Sequence, residues 1–481
     1  GAEVTTGVQN TIIGGLAGDA LTTGSYNVIL GTNGGGGVTT GSQNIIIGQG
    51  TAMAALTGSQ NTIVGDSAGA AMTSGTENVA IGTSALDANT TANANTAVGR
   101  MALSANTTGA SNTALGHQSL ILNTTGATNT AVGKDSLGAN TTGQGNTAVG
   151  SSALKANTTA NNNAAFGAGA MFTNTTGTEN TALGLNTLYA NTTANGGTAV
   201  GSQALTSVTT GNNNTAVGTN SLLVNTTGSE NTAVGRLSLD ANTTGTNNVA
   251  VGNSALTANT TAVCNVGIGD NAGNSVTTGN NNVLIGYLAG LEITNGQFNT
   301  CISPSTGGDN LVSGEFNVYM GYLSRASGSN ASSEMVIGSG NRVHLGKGNS
   351  TGFISPDTGG VYQGNNASTW STTSDQRLKK NIVDSTIGLA EINQLQIRNF
   401  EYRAKDEITE LADTNVIDVE GVQVGVIAQE IQAILPNCVK EESTGVLSVN
   451  PDNLTWHMIK AIQELSTQLD AALARIETIE G

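Results

Sequence analysis

A repeat of 17 residues runs through most of this chain. Three consecutive copies read NTAVGRMALSANTTGAS, NTALGHQSLILNTTGAT and NTAVGKDSLGANTTGQG. Steps of 17 residues from Asn10 mark the first residue of eighteen copies, the last at Asn299, and only Gly197 replaces the asparagine. Such a strict period indicates that every copy occupies an equivalent place in a stack.

One copy has the features of a single coil of a β-solenoid. Its fourth residue is always apolar, from Ile13 to Ile302, and its fifth is glycine from Gly14 to Gly286. The segment NTAVG is typical of a short strand that ends in a sharp turn, and NTTG supplies a second turn. Seventeen residues are too few for a helical hairpin repeat and suit one coil of a β-solenoid or β-roll.

The side chains of one coil supply only a thin core. Each coil contributes about one large apolar residue, at the fourth position, and one leucine, at the ninth position from Leu86 to Leu256, with Met171 as the exception. Three chains that share a central seam would bury the fourth position far better than one chain. We therefore predict a mainly β fold for residues 1–303: a homotrimeric, parallel β-solenoid or β-roll shaft with asparagine ladders, roughly 85 Å long at about 4.8 Å per coil.

The twelfth position has more than one interpretation. It is asparagine in ten copies, from Asn89 to Asn259, and Thr-Thr always follows, so these are formal glycosylation sequons. We interpret them as turn residues of the solenoid. The regular threonines are also typical of ice-binding proteins, but an ice-binding protein would not require the different domain that ends this chain.

The repeat becomes irregular over residues 304–373, where NVYMG begins one residue late at Asn317. Eight of the fifteen aromatic residues of the chain lie between Tyr287 and Trp370. Aromatic side chains anchor interfaces, so this segment is a candidate receptor-binding tip; the alternative is a core that closes the end of the shaft. The candidate binding residues are Tyr319, Tyr322, Phe353, Tyr362 and Trp370.

Residues 374–481 differ from the shaft and predict an α+β domain. VQVGVIAQEIQAILPNCV indicates a strand that leads into an amphipathic helix, and DNLTWHMIKAIQELSTQLDAALARIETIE indicates a long helix. The long helix carries apolar residues at alternating spacings of four and three, which is a heptad seam compatible with a trimeric coiled coil. The seam residues are Met458, Ile462, Leu465, Leu469, Ala472, Ile476 and Ile479, and we expect His457 at the surface or in the seam, without a catalytic role.

Three motifs of this domain, SDQRLKKNI, GVIAQEIQAILP and IKAIQEL, occur in an order and spacing that resemble the C-terminal intramolecular chaperone of endosialidase-type tail spikes. The resemblance extends from Ser374 to the end of the chain. It implies a trimeric domain that directs folding of the preceding fibre and then cuts itself off by a Ser-Lys mechanism, at the bond Thr373–Ser374. The shaft repeats resemble the head repeats of trimeric bacterial adhesins and repeats in tail fibres of bacterial viruses.

The residues at the start of the domain suit this chemistry. Ser374 supplies a hydroxyl, which is a weak nucleophile without a base, and Lys379 is the candidate base. A lysine acts as a base more readily when it is desolvated or next to another cation, and Lys380 and Arg377 are such neighbours. Lys380 is the alternative base, while Asp375 and Arg377 match the motif as residues that position the loop.

Composition narrows the classes of partner. The net charge of −17 disfavours nucleic acid, and the chain has no run of 18 apolar residues for membrane insertion. Cys264, Cys301 and Cys438 match neither a metal site nor a disulfide framework, so we predict no metal and no cofactor. The shaft shows no catalytic constellation, so we do not predict glycan cleavage.

Together these features predict a viral tail-fibre or tail-spike protein. The expected partners are two further copies of the chain, other tail proteins of the virion and a host cell-surface receptor, either a glycan or an outer-surface protein. The expected location is the extracellular tail fibre, with the chaperone domain released inside the infected cell. One alternative is a trimeric bacterial surface adhesin, which would be expected to carry a C-terminal membrane anchor; another is a membrane-linked transcription factor, which would need a DNA-binding domain and a membrane span.

Overall fold

The computed structural model describes residues 3–307, 310–356, 360–364, 371–372, 374–404, 407–408, 417, 419–442 and 445–480; the side chains of residues 362, 371 and 372 are not described. It divides into two compact units, Gly1–Thr373 and Ser374–Gly481. The first is a parallel β-solenoid and the second is a small α+β unit with a long C-terminal helix. The predicted mainly β fold is confirmed.

Each of the eighteen repeats forms one rung of the solenoid and contributes one three-residue strand. Neighbouring strands pair in parallel at a spacing of 17 residues, so that Thr96 pairs with Thr113 and Val98 with Leu115. The strands are β1 Thr11–Ile13, β2 Val28–Leu30, β3 Ile45–Ile47, β4 Thr62–Val64, β5 Val79–Ile81, β6 Thr96–Val98, β7 Thr113–Leu115, β8 Thr130–Val132, β9 Thr147–Val149, β10 Ala164–Phe166, β11 Thr181–Leu183, β12 Thr198–Val200, β13 Thr215–Val217, β14 Thr232–Val234, β15 Val249–Val251, β16 Val266–Ile268, β17 Val283–Ile285 and β18 Thr300–Ile302.

The core of a rung differs from the core that the sequence suggested. The third position of the repeat, the middle residue of each strand, points inward and is fully buried from Ile29 onward; it is alanine in most rungs. The leucine at the ninth position is also buried, as in Leu103 and Leu154. The fourth position lies on the outer face of the strand, because side chains alternate across a strand. One chain therefore closes its own core, and the large apolar residue of the strand lies outside it.

Two ladders of buried asparagines complete this core. The asparagine at the first position accepts hydrogen bonds from the next rung: the backbone N–H of Asn129 lies 3.0 Å from Oδ1 of Asn112, and Nδ2 of Asn129 lies 3.2 Å from the same oxygen. The twelfth-position asparagines stack in the same way, with Nδ2 of Asn123 2.9 Å from Oδ1 of Asn106. Since these amide nitrogens are buried donors, the sequons are turn residues of the folded solenoid and not open acceptors for a glycan.

Glycine at the fifth position is required by the turn that ends each strand. Gly99 has φ of +136°, and a Cβ there would collide with the carbonyl of Gly116 in the next rung. The ninth position also has positive φ, although it carries leucine: φ is 52° at Leu103 and 49° at Leu154.

Core volume is shared between the two sides of a rung. Where the ninth position is leucine, the third position is usually alanine, as in Leu154 with Ala148; where the ninth position is Gly69, the third is Ile63. A Cβ on Gly69 would lie 3.2 Å from Cδ1 of Ile63, so the two positions face each other across the core. Most rungs thus fill the same space from one side or the other, although both positions are glycine in the β16 rung.

Beyond the eighteen repeats the ladder continues before it ends. β19 Val318–Met320, β21 Met335–Ser339 and β23 Thr351–Pro356 extend the parallel sheet, and β24 Val361–Gly364 and β25 Ser371–Thr372 add to it in antiparallel orientation. Two short strands, β20 Ser324–Arg325 and β22 His344–Leu345, pair separately. Thr300 pairs with Val318 across 18 residues, as the late NVYMG motif predicts.

A buried glutamate takes the ladder position in the rung of β21. The Glu334 backbone N–H donates to Oδ1 of Asn317 at 2.8 Å, so the rung keeps its register. The Glu334 carboxylate accepts the Tyr319 hydroxyl at 3.0 Å and the backbone N–H of Gly348 at 2.9 Å. Burial, and then the neighbouring Glu334, raise the pKa of Tyr319. A carboxylate thus replaces the amide ladder where the repeat becomes irregular.

The second unit contains α1 Leu389–Ile392, β26 Arg398–Phe400, β27 Gln423–Gly425, α2 Ala428–Ile434, β28 Val439–Glu441, β29 Leu447–Val449 and α3 Pro451–Glu480. β26 pairs with β27 and β28 with β29, both antiparallel. The predicted strand-to-helix segment is confirmed as β27 followed by α2. Ile431, Leu435 and Cys438 form its small core.

Helix α3 has two different faces. On one, His457 and Ala461 are buried, and Oε2 of Glu464 accepts the Leu389 backbone N–H at 2.8 Å. The expectation that His457 lies at the surface or in the seam is wrong, because His457 lies on the docking face. The heptad residues lie on the other face and are exposed, for example Leu469 at 58% and Ile462 at 66%. No described helix is apolar over enough of its length to cross a membrane.

Candidate self-cleavage site

A tight turn at the start of the second unit brings Ser374 and Lys379 together. Asp375 caps a short 3₁₀ helix, Gln376–Leu378, by accepting the Arg377 backbone N–H at 2.8 Å. The turn returns the chain so that Nζ of Lys379 donates to Oγ of Ser374 at 2.7 Å. The candidate nucleophile and the candidate base are therefore in direct hydrogen-bond contact.

Asp375 and Arg377 hold this turn. The Arg377 guanidinium donates to both carboxylate oxygens, with Nε 3.0 Å from Oδ1 and Nη2 2.6 Å from Oδ2. This ion pair lowers the pKa of Asp375 and raises the pKa of Arg377. Both contacts connect residues on either side of Gln376, which fits the predicted positioning role.

Lys380, the alternative base, makes no hydrogen bond or ion pair with the described part of the chain, whereas Lys379 contacts Ser374 directly. Geometry therefore favours Lys379 over Lys380. Thr373, the other residue of the predicted scissile bond, lies outside the described residues.

The turn and the residues after it are open to solvent. The Arg377 side chain is 88% exposed, and the apolar side chains of Leu378, Ile382 and Val383 are exposed as well. Water can therefore reach Ser374, which suits later hydrolysis of an ester, but Lys379 is exposed too and does not have the desolvation that favours a lysine base.

The candidate receptor-binding residues do not form one surface. Tyr319 is fully buried, and Phe353 is buried under Lys347, whose Nζ lies 4.6 Å from the ring centroid. The prediction that these two rings contact a receptor is wrong, because both fill the solenoid core where the repeat ends. Tyr322 is 42% exposed. Trp370 and the side chain of Tyr362 lie outside the described residues.

Residues 374–440 match the peptidase S74 family, described as the chaperone of endosialidase. The chain carries a chaperone-of-endosialidase domain. The match begins at Ser374, where the resemblance of the motifs begins, and it contains the first two motifs but not IKAIQEL on α3. The family implies a self-cleaving peptidase domain, and this domain behind a solenoid shaft is consistent with a tail-fibre-like protein. No solved structure matches the chain.

Sequence reasoning missed Glu464, which fixes α3 to the chaperone domain. Its carboxylate accepts the Leu389 N–H, and a Cβ on the neighbouring Gly388 would collide with it. A signal for it was available, because Glu464 lies seven residues after His457, on the same face of the helix and away from the heptad seam.

Proposed function

We infer that this chain is the subunit of a viral tail fibre or spike that attaches to a host cell, and that its C-terminal domain assembles three chains and then releases itself. The hydroxyl of Ser374, at the first residue of the chaperone domain, lies 2.7 Å from the amine of Lys379, and this contact carries the proposal. A nucleophile in contact with a base is the minimum arrangement for covalent peptide cleavage.

The proposed reaction begins with neutral Lys379. As Oγ of Ser374 adds to the carbonyl carbon of Thr373, its proton passes to Nζ of Lys379. The C–N bond breaks, the proton passes to the leaving nitrogen, and an ester joins the Thr373 carbonyl to Oγ. Water then hydrolyses the ester, leaving a carboxylate on Thr373 and restoring the hydroxyl of Ser374, whose amine, freed when the C–N bond broke, is the new N-terminus.

The outer face of the shaft supports association of several copies. The fourth-position side chains form one apolar column along the sheet; six of the eighteen are exposed, for example Leu115 at 47% and Leu183 at 49%, and the others are partly buried. A contiguous exposed apolar patch marks an interaction site more often than scattered apolar residues do. We propose that three chains bury this column against one another.

The exposed seam of α3 supports the same state. Its leucines and isoleucines repeat with heptad spacing, and Ile479 is 81% exposed. Heptad positions are buried when helices form a coiled coil. We propose that the helices of three copies form a coiled coil through this seam, while the face that carries His457, Ala461 and Glu464 keeps each helix on its own domain.

A repetitive shaft needs such a domain because its rungs are nearly interchangeable. A shift of one chain by one rung places the same residue types opposite each other, so the correct alignment is favoured only weakly along the shaft. A domain that trimerises through its own contacts would align three chains at one end. Its later removal would leave a shaft protected by a high barrier to unfolding.

A denaturing gel tests the cleavage step. The purified chain should separate into a shaft and a fragment of residues 374–481, whereas Ser374→Ala and Lys379→Ala should remain whole. Lys380→Ala is the matched control and should be cut. If Lys379→Ala is cut as fast as the unaltered chain, Lys379 is not the base.

Light scattering tests the assembly step on the same samples. The released shaft should have three times the mass of residues 1–373, and a chain that ends at Thr373 should fail to form ordered trimers. Prompt assembly of that shortened chain into ordered trimers would refute the alignment role of the domain.

A further inference from the structure

A cleft interrupts the side of the solenoid at Gly138. The tenth position of the repeat carries outward side chains that stack from rung to rung, and Ile121, Gly138, Lys155, Phe172 and Tyr189 are consecutive members of this column. Because glycine has no side chain, the column has a gap at this rung. The gap is a cleft of about 400 Å³ between Ile121 on one side and Lys155 with Phe172 on the other.

The cleft combines apolar walls with a few fixed polar groups. The Phe172 ring stacks on Tyr189 with centroids 5.1 Å apart, and Nζ of Lys155 lies 5.9 Å from the Phe172 centroid. The same nitrogen lies 3.4 Å from Oδ2 of Asp135, whose side chain is only 18% exposed. Gln118 adds an amide to the lining. A largely apolar concavity with few oriented polar groups is the usual form of a small-molecule site.

The cleft lies on the side of the rung away from the strands. The ninth-position leucine packs across the core from the strand, since a Cβ on Gly267, a strand residue, would lie 2.8 Å from Cγ of Leu256. The tenth position follows that leucine directly. A trimer that buried the strand faces would therefore leave this side of each shaft accessible.

We propose that this cleft binds one pyranose ring of a cell-surface glycan. A pyranose has faces of C–H groups, which suit the apolar walls formed by Ile121 and Leu122, and a rim of hydroxyls, which can donate to Asp135 and accept from Lys155; Phe172 lines the cleft beyond Lys155, with Tyr189 stacked on it. The paired charges of Lys155 and Asp135 leave the cleft without net charge, which suits a neutral sugar. The inference rests on the proposed attachment function and assigns the contact to the side of the shaft, not to its aromatic-rich end.

Filling the gap provides a specific test. Gly138 has no positive φ, and a Cβ there would lie 3.2 Å from the Asp135 carbonyl oxygen, so only a small shift is needed. Isoleucine already occupies the same position one rung earlier, as Ile121. Gly138→Ile therefore fills the cleft with a residue that the repeat accepts, and Ser104→Ile introduces the same residue at a tenth position outside the cleft.

Saturation-transfer NMR on the purified full chain measures binding. The probes are the methyl pyranosides of glucose, galactose, mannose, N-acetylglucosamine, N-acetylgalactosamine and rhamnose. At least one should receive saturation at its ring protons; Gly138→Ile should reduce that signal at least tenfold, and Ser104→Ile should leave it unchanged. Asp135→Asn, which keeps the shape, should raise the Kd about tenfold or more, because a hydrogen bond to a charged group is lost.

The outcomes separate this proposal from the proposed function. Absence of signal with all six sugars, or an equal signal in Gly138→Ile, refutes the proposal that the cleft binds a pyranose. Each sample is also run on a denaturing gel. Normal release of residues 374–481 without sugar binding refutes only the proposed sugar site, whereas sugar binding by a chain that is never cut refutes self-release and supports the sugar site.

Discussion

The asparagine ladder makes a quantitative prediction for Asn146→Ala. The Asn146 amide makes four hydrogen bonds: Nδ2 donates to Oδ1 of Asn129 at 3.2 Å and to the Ala160 carbonyl at 2.8 Å, and Oδ1 accepts from the backbone N–H and Nδ2 of Asn163 at 3.0 and 3.3 Å. All of this lies in the fully buried core. Alanine would remove the four bonds while the backbone N–H of Asn146 keeps its acceptor on Asn129.

The loss of stability depends on which hydrogen-bond partners of Asn146 keep another partner in Asn146→Ala. The Ala160 carbonyl keeps Nδ2 of Asn157 at 3.2 Å, and Nδ2 of Asn163 keeps the Gly177 carbonyl at 2.9 Å. The backbone N–H of Asn163 loses its ladder acceptor inside the core. A buried donor left without a partner costs about 1–3 kcal/mol, and each of the three other lost bonds about 0.5–1.5 kcal/mol, so we expect a local destabilisation of roughly 3–7 kcal/mol.

Hydrogen exchange read by mass spectrometry is the suitable assay, because a stack of rungs opens locally. A loss of 3 kcal/mol should accelerate exchange by about 100-fold in peptides that cover residues 146–180. Peptides several rungs away should exchange as before, since each rung contacts only its neighbours.

Asn161→Ala is the matched control from the same rung. Asn161 is exposed, and its Oδ1 accepts the Gln144 backbone N–H at 2.7 Å. Water can replace this acceptor, so exchange should rise by less than about fivefold, equivalent to under 1 kcal/mol. If Asn146→Ala accelerates exchange no more than Asn161→Ala, the buried ladder does not stabilise the shaft.

Three further predictions follow from the same core. Gly197→Asn should complete the interrupted ladder by giving the Asn214 N–H an acceptor, and exchange near residues 197–214 should slow about tenfold; unchanged or faster exchange would contradict this. Leu154→Ala should lower the local stability of its rung by about 2–5 kcal/mol, measured by exchange over residues 147–163. Leu154→Gly combined with Ala148→Ile should recover part of this stability, as in the natural pair Gly69 and Ile63. A double variant no more stable than Leu154→Ala would argue that the two positions do not share the core volume. Burial raises the pKa of Cys301 to about 12, so its thiol should stay protonated and resist iodoacetamide at pH 8.5, whereas exposed Cys264 should react. Because the folded pKa lies above the ordinary value of 9.0, the stabilisation of the folded chain by this thiol is complete below pH 9.0 and is lost as the pH rises toward about 12. Equal alkylation of Cys301 and Cys264 in the folded chain would show that Cys301 is not buried.

The repeat made the architecture predictable. A fixed period of 17 residues with glycine at the fifth position leaves few alternatives to a parallel stack, and the shift at Asn317 appears in the strand pairing as an 18-residue step between Thr300 and Val318. The strand-to-helix segment before Cys438 and the long terminal helix also followed from composition and periodicity. These features depend on residues that are close together in the sequence, or on a pattern that every copy of the repeat shows again.

The candidate site was predictable only in part. Ser374 and Lys379 were selected by motif resemblance, because a serine five residues before a lysine carries little information alone. Their contact depends on the 3₁₀ turn capped by Asp375, which makes a separation of five residues a distance of 2.7 Å. The same motif also contains Lys380. The direction of the backbone in the turn places Lys379, and not Lys380, against Ser374.

The chain's periodicity was enough to specify a stack of parallel strands and a separate domain beginning at Ser374, since both depend on patterns along the sequence. It could not say which side of each strand faces inward: alternation defines two sides, and the larger residue, Val98 in place of Ala97, was the natural choice for the core. Three-dimensional packing reverses that choice, because Leu103 and the buried ladder asparagines already occupy the interior and leave room only for a small side chain. The apolar column is consequently on the outside.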